Sequence, residues 1–365
     1  MFRALAKTCI ACAYSWTSVG RRQDAGSAAL PFIVGYHRVV EDFDRSARHT
    51  IPSMLISSTT FEKHIDWLAR RFSIISLDDM DQHLENGLHQ RRPAAAITFD
   101  DGYADVYRNA FPILRRKGIP AATFVVTELI GSRRPQIYDR LFMMLSDRVA
   151  KGESPRLVAL RLLRSLRLKS RAIENLKPQH DRPYAVMTLL LSRFPQSAVA
   201  SMVAALESDT AQDASVLDEL SPMNWDMIGE MQRNGITVGS HTRTHALLTS
   251  EQSSRVSQEV VESKQALERR LNTPVHHFAY PDGRCNPGIV EAVKSAGYKF
   301  AYTICQWRDQ KAPNLTIPRK VLWERASVNV FGRFSSALMS CHAGGFFDST
   351  SACEHDHSSR NPVGK

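Results

Sequence analysis

Short apolar runs that suit β-strands alternate along this chain with stretches patterned for helices, and several of the runs end on residues that carry chemistry. The strand candidates are residues 32–37, 95–99, 122–126, 236–240, 276–280 and 299–304. The helical stretches are residues 61–71, 105–117, 225–234, 251–271 and 287–296. Gly118, Gly235 and Gly297 follow three of them as C-terminal stops. Parallel strands need a crossover connection, usually a helix, so this rhythm points to a parallel sheet or barrel. His37, Asp100, Asp101, His241, His245 and Asp282 all fall at or just after strand ends. A barrel would gather them on one rim, where parallel α/β folds keep their chemistry.

Two of these places stand out. Thr98-Phe99-Asp100-Asp101-Gly102 closes an apolar run with two acids and a glycine. Adjacent carboxylates point in different directions, so one can hold a metal while the other moves a proton. The same letters also describe a strand that ends in an Asp-Gly turn. His241-Thr242-Arg243-Thr244-His245 follows the run 235–240 and places two imidazoles four residues apart, a spacing that lets both meet one ion. Two His and one carboxylate form a familiar set for a hydrolytic Zn²⁺. A zincin would need Glu directly after the first His, and this chain has Thr242.

With Phe278-Ala279-Tyr280-Pro281-Asp282-Gly283, these motifs resemble, in content and order, the three signature motifs of the polysaccharide deacetylases, the NodB-homology family. The likeness covers roughly residues 31–335 apart from an insertion. It implies an irregular (β/α) barrel of about seven strands. It implies that Asp101, His241 and His245 are metal ligands and that Asp100 is the general base acting on the attacking water. Tyr280, Pro281 and Asp282 match the segment that meets substrate, with a backbone N–H near Pro281-Asp282 for the oxyanion. The family's C-terminal Leu-His setting has no counterpart here. The front strand Pro31–Val39 instead carries Tyr36-His37, as in the circularly permuted branch that includes the poly-N-acetylglucosamine deacetylases. That likeness assigns His37 as the acid for the leaving group. Many members have Arg in the third motif where this chain has Ala279. Arg319, in the strand-like stretch Leu315–Lys320, is the candidate to orient the base, with a surface Arg beside a proline as the equal alternative.

The implied reaction is removal of N-acetyl groups from N-acetylhexosamine units of a glycan or glycan precursor, with a divalent ion, foremost Zn²⁺, as cofactor. An O-acetyl esterase and a catalytically impaired glycan-binding protein are the alternatives, the latter because of Ala279. A hydrophobic content of 43% with 23% charged residues is ordinary for a globular chain. The net charge of +10 predicts attraction to anionic partners, such as acidic or lipid-linked sugars or a membrane surface. No nucleic-acid motif accompanies it. Residues 133–221 read as a helical insertion, and from Lys151 to Lys177 it holds eight basic and two acidic residues. Either a solvated face or a cationic collar fits that pattern. Residues 1–30 form an apolar and basic segment, read as a surface helix that docks on the barrel or on a membrane, with a poor signal peptide as the alternative. Residues 341–365 read as a disordered tail. The six cysteines make no zinc pattern and no disulfide framework, which favours a cytoplasmic or peripheral membrane setting.

Overall fold

A computed structural model describes residues 30–86, 92–207 and 214–347. Residues 1–29, where a docking helix is expected, and the polar tail beyond Phe347, with its His355-Asp356-His357, lie outside the described residues. Eight strands run parallel in one path: β1 (Phe32–Tyr36), β2 (Ala94–Phe99), β3 (Ala121–Val125), β4 (Ile236–Ser240), β5 (His277–Ala279), β6 (Phe300–Thr303), β7 (Ile317–Pro318) and β8 (Lys320–Val321). The spatial order is β7-β6-β5-β4-β3-β2-β1-β8, and a short strand, Ser73–Ile74, also pairs with β2.

The two ends of that path are consecutive in sequence. β7 pairs with β6, β8 pairs with β1, and only Arg319 stands between them. The Arg319 N–H donates to the Thr303 carbonyl at 2.9 Å, and the Leu322 N–H to the Gly35 carbonyl at 2.9 Å. One stretch therefore bonds to both open edges and closes the sheet as a barrel of seven staves. The expected barrel of about seven strands is what the chain forms. Its closing stave is split because Pro318 has no N–H to give the ladder.

Strand alternation sorts the side chains. Ile33, Ala96, Ala122, Phe124, Ala279, Phe300, Tyr302 and Ile317 fill the lumen. Val34, Tyr36, Ile97, Phe99, Val125 and Phe278 face outward and pack against the helices. Space inside is tight. A Cβ on Gly239 would stand 2.5 Å from the Phe124 ring, so β4 must pass there without a side chain. The surrounding helices begin on the caps their sequences supply. Ser57 accepts from the Thr60 N–H ahead of α1 (Ser58–Arg71), and Asn286 accepts from the Ile289 N–H ahead of Pro287–Ser295.

Between β3 and β4 lies a helical layer with a core of its own. It includes α2 (Ile137–Ala150), α3 (Pro155–Ser165), α4 (Pro183–Arg193) and α5 (Gln196–Glu207). Leu141, Leu145, Leu162, Val186, Leu190, Val199 and Val203 share that core, which reaches the barrel through Tyr103. α6 (Ser253–Leu271) follows β4, and α7 (Ser336–Ala343) follows the closing stave. Ordered structure thus continues past residue 340: Cys341 and His342 are buried in or beside α7, where the sequence reads as tail. Among the described residues, no helix is long and apolar enough to cross a membrane.

Candidate active site

The C-terminal rim of the barrel gathers the three motifs. Asp100 and Asp101 follow β2, His241 follows β4, and the Tyr280–Gly283 segment follows β5. The backbone there is unusual. Among the described residues, the non-glycine residues with positive φ are Asp101 (73°), Arg167, Thr242 (68°), His245 (61°), Asn272 and Asp282 (54°). Four of those six lie in the three motifs. Left-handed backbone on ordinary residues persists where the surroundings over-determine it, and such places cluster at functional sites.

Asp101, His241 and His245 converge. The Asp101 Oδ1 lies 3.5 Å from Nε2 of His241 and 3.2 Å from Nε2 of His245. One ligand atom from each falls within 4.8 Å of the others, the arrangement a divalent ion needs. The Asp101 Oδ1 is buried and, among the described residues, accepts no hydrogen bond. A buried carboxylate oxygen without a donor is costly unless something else meets it, so the donor set fits a cation. His241 is held from behind, since its Nδ1 lies 2.8 Å from the Ala279 carbonyl. That contact turns Nε2 toward the centre, the usual arrangement of a ligating imidazole. Burial pushes His241 down to about 4, so it is neutral near pH 7 and its contact with Asp101 is no ion pair. Burial also works against a charged His245, but the Asp101 carboxylate outweighs it and the net direction is up. Asp101 is lowered, because the imidazoles of His245, His37 and His241 outweigh the cost of its burial.

Asp100 stands beside the cluster in a different setting. Arg319 donates from one terminal nitrogen to Oδ1 and from the other to Oδ2, both at 2.7 Å. Arg319 is 2% exposed, and its guanidinium lies over the rings of Phe124 and Tyr302 in the lumen. Burial alone would raise the Asp100 carboxyl, but the Arg319 charge opposes it and the net direction is down. Arg319 is therefore no surface residue. Ile317 and Arg319 share the inward face of the closing stave, and Ala279 lines the same lumen with a side chain small enough to leave room.

His37 directly follows β1 and is partly exposed. Its Nδ1 is buried and has no hydrogen-bond partner among the described residues. It lies near enough to Asp100 and Asp101 to help lower both. The next residue anchors it: Arg38 is 1% exposed and donates to Asp105 at 2.8 Å. The segment 280–283 divides. The Tyr280 ring lies in the packed core and its hydroxyl donates to the Leu315 carbonyl at 2.9 Å, so its side chain does not face the rim. Its N–H is committed to the Tyr302 carbonyl. Pro281 has no N–H, which leaves the Asp282 N–H as the donor of this turn. The Asp282 carboxylate pairs with Arg284 at 2.6 Å.

The insertion supplies residues that sequence reasoning missed. Gln136 is buried and its Nε2 donates to the Asp101 carbonyl at 3.1 Å. The Tyr138 ring meets the His245 ring edge-on at 5.0 Å, and its hydroxyl lies 2.7 Å from that of Tyr103. Tyr103 donates in turn to Asp139, which burial pushes up to about 7. Nothing in the local pattern 136–139 marks these residues; only the packing of α2 against the rim does.

A family model described as polysaccharide deacetylase matches residues 88–146 and 196–301. The unmatched stretch between falls in the helical layer. A poly-β-1,6-N-acetyl-D-glucosamine N-deacetylase of Staphylococcus epidermidis is 33% identical over 107 residues, 27% of this chain and 37% of that protein. A putative polysaccharide deacetylase of Bacillus subtilis is 29% identical over 82 residues, 22% of this chain and 29% of that protein. The matches thus span about a third of these relatives' length. The Streptococcus pyogenes deacetylase PplD, solved in complex with acetate, shares the fold with a TM-score of 0.52 at 16% identity, covering 85% of this chain and 96% of that one.

Proposed function

This chain belongs to the polysaccharide deacetylase family, and from that premise we propose that it is a metal-dependent hydrolase removing N-acetyl groups from N-acetylhexosamine units of a glycan or glycan precursor. The observation that carries the reading is the Asp101–His241–His245 cluster with Asp100 pinned beside it by Arg319. The Staphylococcus relative, an N-deacetylase of an N-acetylglucosamine polymer, supports the acetamide over other acyl groups.

In this reading Asp101, His241 and His245 hold a divalent ion, and Zn²⁺ suits two imidazoles and a carboxylate. When bound, the ion polarises the acyl carbonyl and acidifies a water molecule. Asp100 takes the proton from the attacking water as the oxygen bonds to the acetyl carbon. Arg319 keeps both Asp100 oxygens in place, so the base cannot turn away. The Asp282 N–H would be the donor to the oxygen that gains charge. His37 gives a proton to the sugar nitrogen as the C–N bond breaks, and acetate and a free amine leave. The exposed basic residues of the insertion support an anionic or lipid-linked substrate, or contact with a membrane surface. Lys151, Arg161, Arg164, Arg167, Lys169, Arg171 and Lys177 are all exposed.

Acetate release from N-acetylated and O-acetylated oligosaccharides tests the proposal, after chelation and readdition of Zn²⁺ or Co²⁺. We expect metal-dependent release from the N-acetylated sugars. Asp100→Asn should cost about 10²–10⁴-fold in kcat, the usual worth of a positioned base. His37→Ala should be strongly impaired on amides and much less on esters, because an amine needs protonation to leave more than an alkoxide does. Release from O-acetyl donors alone, indifferent to His37, would point to an esterase. Tight metal and glycan binding without any acetate would point to a binding protein.

A further inference from the structure

We propose that the helical insertion is part of the metal centre, and that Tyr138, Gln136 and Gln196 are positioning residues that hold the metal-ligand loops in their binding geometry. The inference rests on the metal reading above.

The insertion touches the ligand-bearing segments at three points, two on backbone carbonyls and one on a ligand ring. Gln136, at the start of α2, donates to the carbonyl of Asp101 itself. One turn segment on, the Tyr138 ring packs against the His245 ring. Gln196, the first residue of α5, donates from its side-chain amide to the carbonyl of Thr244, between the two histidines. The barrel grips Thr244 from its other polar atoms. Glu259, on α6 and fully buried, accepts from the Thr244 N–H at 2.8 Å and from its hydroxyl at 2.7 Å. The loop 241–245 is thus held between barrel and insertion.

These contacts fall where the backbone most needs them. Asp101 and His245 have φ of 73° and 61°, conformations that ordinary residues leave when support is removed. Tyr138 is itself fixed. Its hydroxyl bonds to Tyr103, Tyr103 bonds to Asp139, and the Arg38 guanidinium lies 5.1 Å over the Tyr103 ring. The clamp therefore runs from the insertion into the barrel wall beside the ligands. Partners that orient metal ligands typically account for 10–100-fold in metal affinity.

The test is the dissociation constant for Zn²⁺ and Co²⁺ on the full chain, from competition with a chromophoric chelator, together with the visible absorption of the Co²⁺ form. Neither readout depends on turnover. Tyr138→Ala and Gln196→Ala should each weaken binding by about 10–100-fold and alter the Co²⁺ spectrum. Tyr138→Phe keeps the ring on His245 but lacks the hydroxyl that bonds to Tyr103, and should fall between wild type and Tyr138→Ala. Leu157→Ser, on the exposed side of α3, should leave affinity unchanged. Thermal melting of the metal-free variants checks that each is folded, and Gln196→Ala stands in should Tyr138→Ala fail to fold. Folded Tyr138→Ala or Gln196→Ala with wild-type affinity and spectrum would overturn the proposal. So would an equal loss in Leu157→Ser. A wild-type chain that binds neither ion would sink the metal reading itself, and this inference with it.

Discussion

In the proposed reaction Asp100 must be ionised and unable to rotate, and Arg319 meets both needs. The two parallel hydrogen bonds of 2.7 Å occupy one edge of each carboxylate oxygen and leave other lone pairs for a water. Lysine offers a point charge and cannot match this fork. Arg319→Met would leave a buried carboxylate unpaired. Breaking such a pair costs about 3–5 kcal/mol, and denaturant unfolding of the variant should register it. Without the cation the Asp100 pKa rises, so the acid limb of kcat/KM should move to higher pH. Arg319→Lys should fall between. An unmoved acid limb in Arg319→Met would show that the pair has no part in the chemistry. The sequence made Asp100, Asp101, His241 and His245 legible, because the strand end and the His spacing are local patterns. It left Arg319 undecided, because nothing in the stretch 315–320 reveals that its inward face looks across the lumen at Asp100.

The elements themselves follow from local pattern. The six strand candidates correspond to β1 through β6 within a residue or two, and each expected helix is present. The closing stave is different, since it is short, broken by Pro318, and exists only because two sheet edges wait for it. The insertion shows how elements meet. Asp139 on α2 is buried at the junction with the barrel, close to Arg38 and Tyr103, and its pKa is pushed up to about 7 by burial. A carboxyl raised in the folded state makes that state bind more protons than the unfolded chain between about pH 4 and 7. Stability from this group is therefore lost as pH rises through that window and is level above it. Asp139→Asn removes the titration. Its stability relative to wild type should climb by up to about 1.4 kcal/mol per pH unit from pH 4 to 7 and then stay flat. Thermal or denaturant unfolding across pH 4–9 measures this. A constant difference would mean that Asp139 stays ionised throughout.

For the whole molecule, charge is unevenly placed. The rim buries its ions in pairs, whereas α3, the turn after it and the helix Arg171–Glu174 leave Arg161, Arg164, Arg167, Lys169 and Arg171 exposed, Arg161 in a surface pair with Glu153. Exposed charges of one sign attract an anionic surface with a strength that falls as salt shortens the screening length, about 10 Å at 0.1 M. Vesicles with acidic lipids should retain the chain at low salt and release it as salt is raised, and Arg161→Glu with Arg164→Glu should weaken retention severalfold. Equal retention on neutral vesicles would remove electrostatics from the account.

From the sequence by itself came the alternation of strands and helices, the parallel barrel and the Asp101, His241 and His245 cluster. All of these rest on spacing within a few residues or on motif order. Tertiary structure alone decided which arginine reaches Asp100, that the Tyr280 ring belongs to the core, and that the insertion reaches the loops of Asp101 and His245. Each depends on residues far apart in the chain, such as Asp100 with Arg319, Asp101 with Gln136, and Thr244 with Gln196. Which distant side chains meet is set by barrel closure and helix packing, and no local periodicity encodes it.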